Sequence, residues 1–192
     1  MTYTEGTRQL KRYRRGITTL RQKMRGVQKR IDPEPVADYT FSTVEGPRRL
    51  SQLFGSMKDL FVIHNMGSGC PYCTLWADGY NGIYDHLTSR AAFVIASPDS
   101  PAVQRRFARS RGWRFPMVSH QGTTFAEDMG YRSRTGGWRP GISAFRRERD
   151  RIVRLSDTGS SPGDDFCTVW HVFDLLPDGR TRWEPKFRYG RK

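Results

Sequence analysis

The residues best suited to chemistry are Cys70-Pro71-Tyr72-Cys73. A thiolate is a nucleophile, and two thiols two residues apart can pass a disulfide between themselves and a substrate. The pair follows the apolar run Leu60–His64, whose β-branched and aromatic content predicts a central strand. It opens a segment, Cys73 to about Ser89, whose apolar face predicts a helix. A helix N-terminus presents unpaired N–H groups and the positive end of the dipole, which favour a thiolate at Cys70. Pro71 pre-sets the first turn. Cys73, three positions on, is placed to resolve a mixed disulfide formed at Cys70. Two other uses of the pair compete. Half of a zinc site needs further ligands, and only Cys167, His64, His86, His120 and His171 remain, without a second CxxC or an HxxxH. Two inert helical cysteines are the other alternative. The strand–CxxC–helix context favours a redox pair.

Two further residues are weighed beside the dithiol. His64, six positions before Cys70, is either an ordinary, partly buried histidine or, pointing beneath the pair, a relay for the proton that Cys73 must lose. Cys167 reads as a core residue, with a further resolving thiol as its alternative. No cofactor and no metal are expected. Three cysteines are too few for a disulfide-stapled scaffold, so a reducing, cytoplasmic compartment is expected.

The elements that must hold this site alternate along the chain. After the dithiol helix come a strand at Ala91–Ala96, a helix capped by Ser97-Pro98-Asp99-Ser100-Pro101 and running to about Arg111 with Val103 and Phe107 inward, and a short extended piece at Phe115–Ser119. Thr124–Met129 reads as a helical turn. Ile142–Phe145 and Ile152–Leu155 read as a hairpin across Arg147–Asp150, followed by a loop at Thr158–Asp165. Phe166–Leu176 is strand or helix, and residues from Gly179 on form an irregular basic tail. At the other end, Leu10, Tyr13, Ile17, Leu20, Met24, Val27 and Ile31 recur at alternating spacings of 3 and 4, predicting one amphipathic helix over 7–31. Asp32-Pro33-Glu34-Pro35 stops it. This order suits an α/β layer architecture with right-handed crossovers.

Several motifs occur together: Cys70-Pro71-Tyr72-Cys73 with Trp76-Ala77-Asp78-Gly79, Gly112-Trp113 with Phe115-Pro116 and Val118-Ser119, Pro140-Gly141 with Ser143 and Phe145-Arg146-Arg147, and Asp174-Leu175 with Pro177 and Gly179-Arg180. As a set, reaching back to Asp38-Tyr39 and Phe41, they make the chain resemble the DUF899 family of thioredoxin-like proteins over nearly its whole length. The resemblance implies an α/β thioredoxin-like fold, a central mixed sheet flanked by helices, with an added N-terminal basic amphipathic helix. It divides the chain into a helical extension, 1–35, and a thioredoxin-like domain, 36–192. It implies a dithiol–disulfide oxidoreductase with Cys70 attacking and Cys73 resolving. Pro140 resembles the cis-proline that faces the dithiol, bringing the backbone of Arg139 toward the sulfurs, and His64 falls where thioredoxins keep a buried acid. Two departures stand out. Gly69 replaces the usual tryptophan, and Pro71-Tyr72 is closer to glutaredoxins. The alternative is a peroxiredoxin-like thiol peroxidase. That family's peroxide-positioning threonine would stand at Gly67, and Arg139 is the candidate cation.

Of the 192 residues, 36% are hydrophobic and 12% aromatic, enough for a core. The formal net charge is +14, but residues 1–31 carry ten basic side chains against Glu5, a net +9, and the remainder only +5. No apolar run is long enough to span a membrane, and no apolar stretch follows the basic N-terminus as in a secretory signal. The expected partners are a disulfide-containing protein or low-molecular-weight thiol, an electron donor, and a second copy of the chain docked through the N-terminal helix. Nucleic acid, an acidic protein and an anionic membrane surface are the possible partners of the basic helix. Without a zinc finger, an RNA-binding aromatic motif or a helix-turn-helix, a solvated basic face is favoured over nucleic acid. A redox-inactive interaction module is the remaining alternative.

Overall fold

The two apolar runs expected to be buried strands lie side by side at the centre of one eight-stranded sheet. In the computed structural model, which describes residues 1–190, the strands are β1 (Glu34–Val36), β2 (Thr40–Thr43), β3 (Gly46–Arg49), β4 (Asp59–His64), β5 (Ala92–Ser97), β6 (Met117–Ser119), β7 (Gly141–Glu148) and β8 (Arg151–Gly159). Their order is β1-β8-β7-β4-β5-β6-β2-β3. β4, β5 and β6 run parallel; the other neighbours are antiparallel. The helices are α1 (Tyr3–Gln28), α2 (Pro71–Gly82), α3 (Tyr84–Thr88), α4 (Pro101–Arg111), α5 (Phe125–Asp128) and α6 (Thr168–Phe173), with a 3-10 turn at Leu50–Phe54. This is the expected mixed sheet flanked by helices, with an N-terminal helix added.

Side chains alternate across the sheet, so it has two cores. On one face Leu60 and Val62 pack with Phe41, Leu50, Phe54 and Phe125. On the other Ile63 and Ile95 pack with Trp76 and Tyr80 of α2, Trp113, Phe115 and Trp170. Each such side chain contributes about 1.5–3 kcal/mol on burial, and these two layers fix the sheet against its helices.

The co-occurring motifs hold elements together. Asp78 on α2 accepts the Trp113 indole N–H at 2.8 Å and pairs with Arg111 at the end of α4. Arg146 on β7 pairs with Asp59 on β4 at 2.7 Å. Arg147 donates to the carbonyls of Gly55 and Met57 that follow the 3-10 turn. Asp38 accepts from both the N–H and the hydroxyl of Ser51 at 2.8 Å.

Several boundaries differ from expectation. α1 begins at Tyr3 rather than 7, because Thr2 and Glu5 form a reciprocal capping box, and it ends at Gln28. The dithiol helix is broken at Ile83 into α2 and α3, after Gly79 and Gly82 have weakened it. Phe107 packs half-buried against Trp113 as expected, but the fully buried residue of α4 is Gln104, whose amide donates to Ser97 and to the carbonyl of Val118. The hairpin extends well past its apolar centre and takes in Thr158 and Gly159, expected to be loop. Edge strands β1 and β3, polar and short, carried no periodic signal. Phe166–Leu176 contains α6. The last two positions of the basic tail, 191–192, lie outside the described residues.

Candidate redox site

β4 ends at His64, and the chain then turns through Asn65–Gly69 into α2. Three local bonds shape that turn. Asn65 N–H donates to Ala96 O at 2.9 Å, the Asn65 side-chain oxygen accepts Gly67 N–H at 2.8 Å, and Cys70 N–H donates to Gly67 O at 3.1 Å. Gly67 has φ +104°, and a Cβ there would meet the Asp99 carboxylate at 3.1 Å. That carboxylate, just past β5, accepts Ser68 N–H at 2.7 Å. Two strand ends are thereby tied together beside the dithiol.

Cys70 is the N-cap of α2. Its sulfur accepts Cys73 N–H at 3.0 Å, and Thr74 N–H and hydroxyl both donate to its carbonyl. The hydrogen bond from the Cys73 thiol, followed by the backbone N–H groups of Cys73 and Tyr72, outweighs burial and lowers the Cys70 thiol to about 7. The partner thiol is thus the largest cause, and the backbone donors expected of a helix start come after it. Cys73 is buried, and its thiol is pushed up by donation to Cys70 and by burial, so it stays protonated while Cys70 ionises. Met66 N–H donates to its sulfur at 3.5 Å. All three cysteines are free thiols. Among the described residues, no group of three or more His, Cys, Asp or Glu is placed to hold a metal ion.

Two expected participants are placed differently. His64 does not lie beneath the dithiol. Its ring stacks on Tyr131 and Phe125, with Nε2 2.9 Å from the Ser143 hydroxyl, in the core on the opposite face of the sheet from α2. Burial, reinforced by His120 and Arg154, holds it well below the usual histidine range, so it is neutral. Pro140 does reach this end of the sheet, because Gly141 pairs with His64 and Pro140 comes next. Its peptide bond is trans; no cis bond occurs among the described residues. Arg139 donates its N–H to Tyr131 O at 2.8 Å, just before β7. The Arg139 side chain is exposed and makes no ion pair among the described residues, and no cation contributes to the lowered thiol of Cys70. Cys167 is buried in the aromatic core with Trp76 and Trp170, and burial raises its thiol.

Asn65 and Asp99 are the site residues that sequence reasoning missed. Asn65 stands two positions before a glycine, the signature of a side chain that closes its own turn. Asp99 lies in Ser97-Pro98-Asp99-Ser100-Pro101, read only as a helix cap, whereas its carboxylate turns away to Ser68.

Residues 5–191 match the model of a family described as a bacterial protein of unknown function, DUF899. The chain belongs to this DUF899 family. No curated protein matches the sequence. Among solved structures, peroxidoxin BcpB from Mycobacterium tuberculosis is similar over 79% of this chain and 97% of its own, at 26% identity and a TM-score of 0.56. A peroxiredoxin Q mutant from Xanthomonas campestris is 16% identical over 65% of this chain and 82% of its own, with a TM-score of 0.56. Reduced Prx3 from Vibrio vulnificus is 16% identical over 70% of this chain and 89% of its own, also at 0.56. The DUF899 chain thus has the thioredoxin/peroxiredoxin-like α/β fold. Among the described residues no helix is long and apolar enough to cross a membrane.

Proposed function

We propose that this DUF899 protein is a peroxiredoxin-like thiol peroxidase with Cys70 as the peroxide-reacting thiolate and Cys73 as the resolving thiol. The observation that carries the reading is the Cys70 sulfur at the start of α2, lowered to about 7 by donors from Cys73 and Tyr72 while the adjacent Cys73 stays protonated. The peroxiredoxin-like neighbours support peroxide as the oxidant, one of them having been solved with hydrogen peroxide.

In the reaction, the Cys70 thiolate attacks one peroxide oxygen. The O–O bond breaks, and the leaving alkoxide or hydroxide takes a proton from solvent. Cys70 is then a sulfenic acid. The Cys73 sulfur attacks the Cys70 sulfur, its proton leaves with the hydroxyl as water, and a Cys70–Cys73 disulfide forms. A thiol reductant from outside the chain restores the dithiol by exchange, becoming oxidised itself. Where a peroxiredoxin threonine would stand, φ +104° at Gly67 and the Asp99 carboxylate 3.1 Å from a Cβ there disfavour a branched side chain. In this reading, peroxide is therefore held by the backbone of the turn and the first turn of α2.

Disulfide exchange with a protein or small-thiol substrate is the second reading, favoured by the spacing of two thiols within one helical turn. Turnover separates the two. Hydrogen peroxide consumption with a dithiol reductant is expected in the native protein and lost in Cys70→Ser. In Cys73→Ser, a sulfenic acid should accumulate and react with dimedone. Insulin reduction without peroxide consumption would replace the peroxidase reading with the exchange reading.

A further inference from the structure

The N-terminal helix has a second, unused set of features. Leu10, Ile17 and Met24 occupy one heptad position and Tyr13, Leu20 and Val27 the other. All six are 48–60% exposed, and α1 has no buried residue. An apolar residue every 3.5 positions over three heptads is the seam of a two-helix coiled coil. The positions that flank the seam are Gln9, Arg14, Gly16, Arg21, Lys23 and Gln28. They are basic or uncharged, and the one acid of α1, Glu5, is committed to the N-terminal cap.

This charge pattern selects the occupant. A second copy of the helix would set Arg14, Arg21 and Lys23 against the same cations, the arrangement that flanking charges use to reject a partner. Nucleic acid would neutralise the cations but leave the apolar seam in water. A lipid surface calls for a broader apolar face than two residues in seven. The one carboxylate of the body that pairs with α1 among the described residues, Asp165, is taken by Arg21 in a two-pronged ion pair. That pair shows what a flanking cation of this helix binds when an acid is in reach. We propose that α1 is a docking helix for a partner protein that presents a heptad-repeat helix with acidic flanking positions. The surface is independent of the dithiol chemistry.

The test uses the full chain and two four-heptad synthetic peptides with Ile and Leu at the seam, one with Glu and one with Lys at every flanking position. By fluorescence anisotropy, the Glu peptide should bind one to one, at least about tenfold tighter than the Lys peptide, and weaken as salt rises. Ile17→Asn/Leu20→Asn should abolish binding, with α1 helicity checked by circular dichroism. Arg14→Glu/Lys23→Glu, which keeps the seam, should reverse the preference toward the Lys peptide. Binding of the Glu peptide undiminished by Ile17→Asn/Leu20→Asn would reduce the effect to charge and overturn the proposal. So would a dimer of the chain alone that the same substitutions dissolve, or binding to phosphatidylserine vesicles by a chain that ignores the Glu peptide.

Discussion

At the scale of single residues, the chemistry rests on what reaches the Cys70 sulfur. The Cys73 thiol is the largest cause of its lowered pKa, ahead of the backbone donors. Cys73→Ala removes that donor, and the Cys70 thiol should titrate about one unit higher, leaving roughly tenfold less thiolate below its pKa. Cys73→Ser keeps a hydroxyl donor and should keep the lower value; thiolate absorbance at about 240 nm against pH checks both. His64 makes a separate prediction. Its folded pKa lies far below the ordinary 6.5, so the unfolded chain takes up a proton that the folded chain refuses. Stability from this group is intact above pH 6.5 and is lost below it, by up to about 1.4 kcal/mol per pH unit. His64→Phe/Ser143→Ala, which removes both ends of the buried bond, should flatten that acid slope in urea denaturation followed from pH 7 downward.

At the scale of elements, two glycines that look alike in sequence behave oppositely. Gly141 opens β7 where a Cβ would stand 2.1 Å from Tyr131 Cε1 and 2.5 Å from Thr158 O. Gly141→Ala should cost about 3 kcal/mol, since backbone as well as ring must shift. Gly79 sits inside α2 with nothing within 4 Å of a Cβ, so Gly79→Ala should gain about 0.5–1 kcal/mol; urea midpoints of the two variants check the contrast. What was legible in the sequence follows the same local logic. Cys70 at a helix start could be read because capping is decided by neighbouring residues, and α1 could be read from its period. The face taken by His64 could not, because Leu60-Phe61-Val62-Ile63 is apolar throughout and no alternation marks which side is which. Pro140 depends on Arg139 bonding to Tyr131, and Asp99 on reaching Ser68 thirty-one residues away. Such pairings are set by tertiary contact. The split of the dithiol helix at Ile83 was hinted at by two glycines but not located by them.

At the scale of the whole molecule, charge and chemistry are separated. Of the +14, a net +9 lies in residues 1–31, most of it on α1, while the rest of the chain, which holds the dithiol, carries only +5. No residue of α1 contributes to the state of either Cys70 or Cys73. At ordinary ionic strength, exposed charges more than about 10 Å apart are screened. Arg14→Glu/Lys23→Glu should therefore change what docks on α1 yet leave the Cys70 titration at about 7, measured in the same absorbance experiment. On this account docking on the basic helix and chemistry at the dithiol are independent, and a defect in either should leave the other intact.

The most direct test is the reaction of the reduced protein with hydrogen peroxide, followed by stopped-flow tryptophan fluorescence across pH, with Trp76 one turn beyond Cys73 as the reporter. The predicted rate climbs with pH to a plateau with its midpoint at about 7, survives Cys73→Ser as a single step, and vanishes in Cys70→Ser. A rate no faster than that of a free thiol, or one unchanged in Cys70→Ser, would contradict the account.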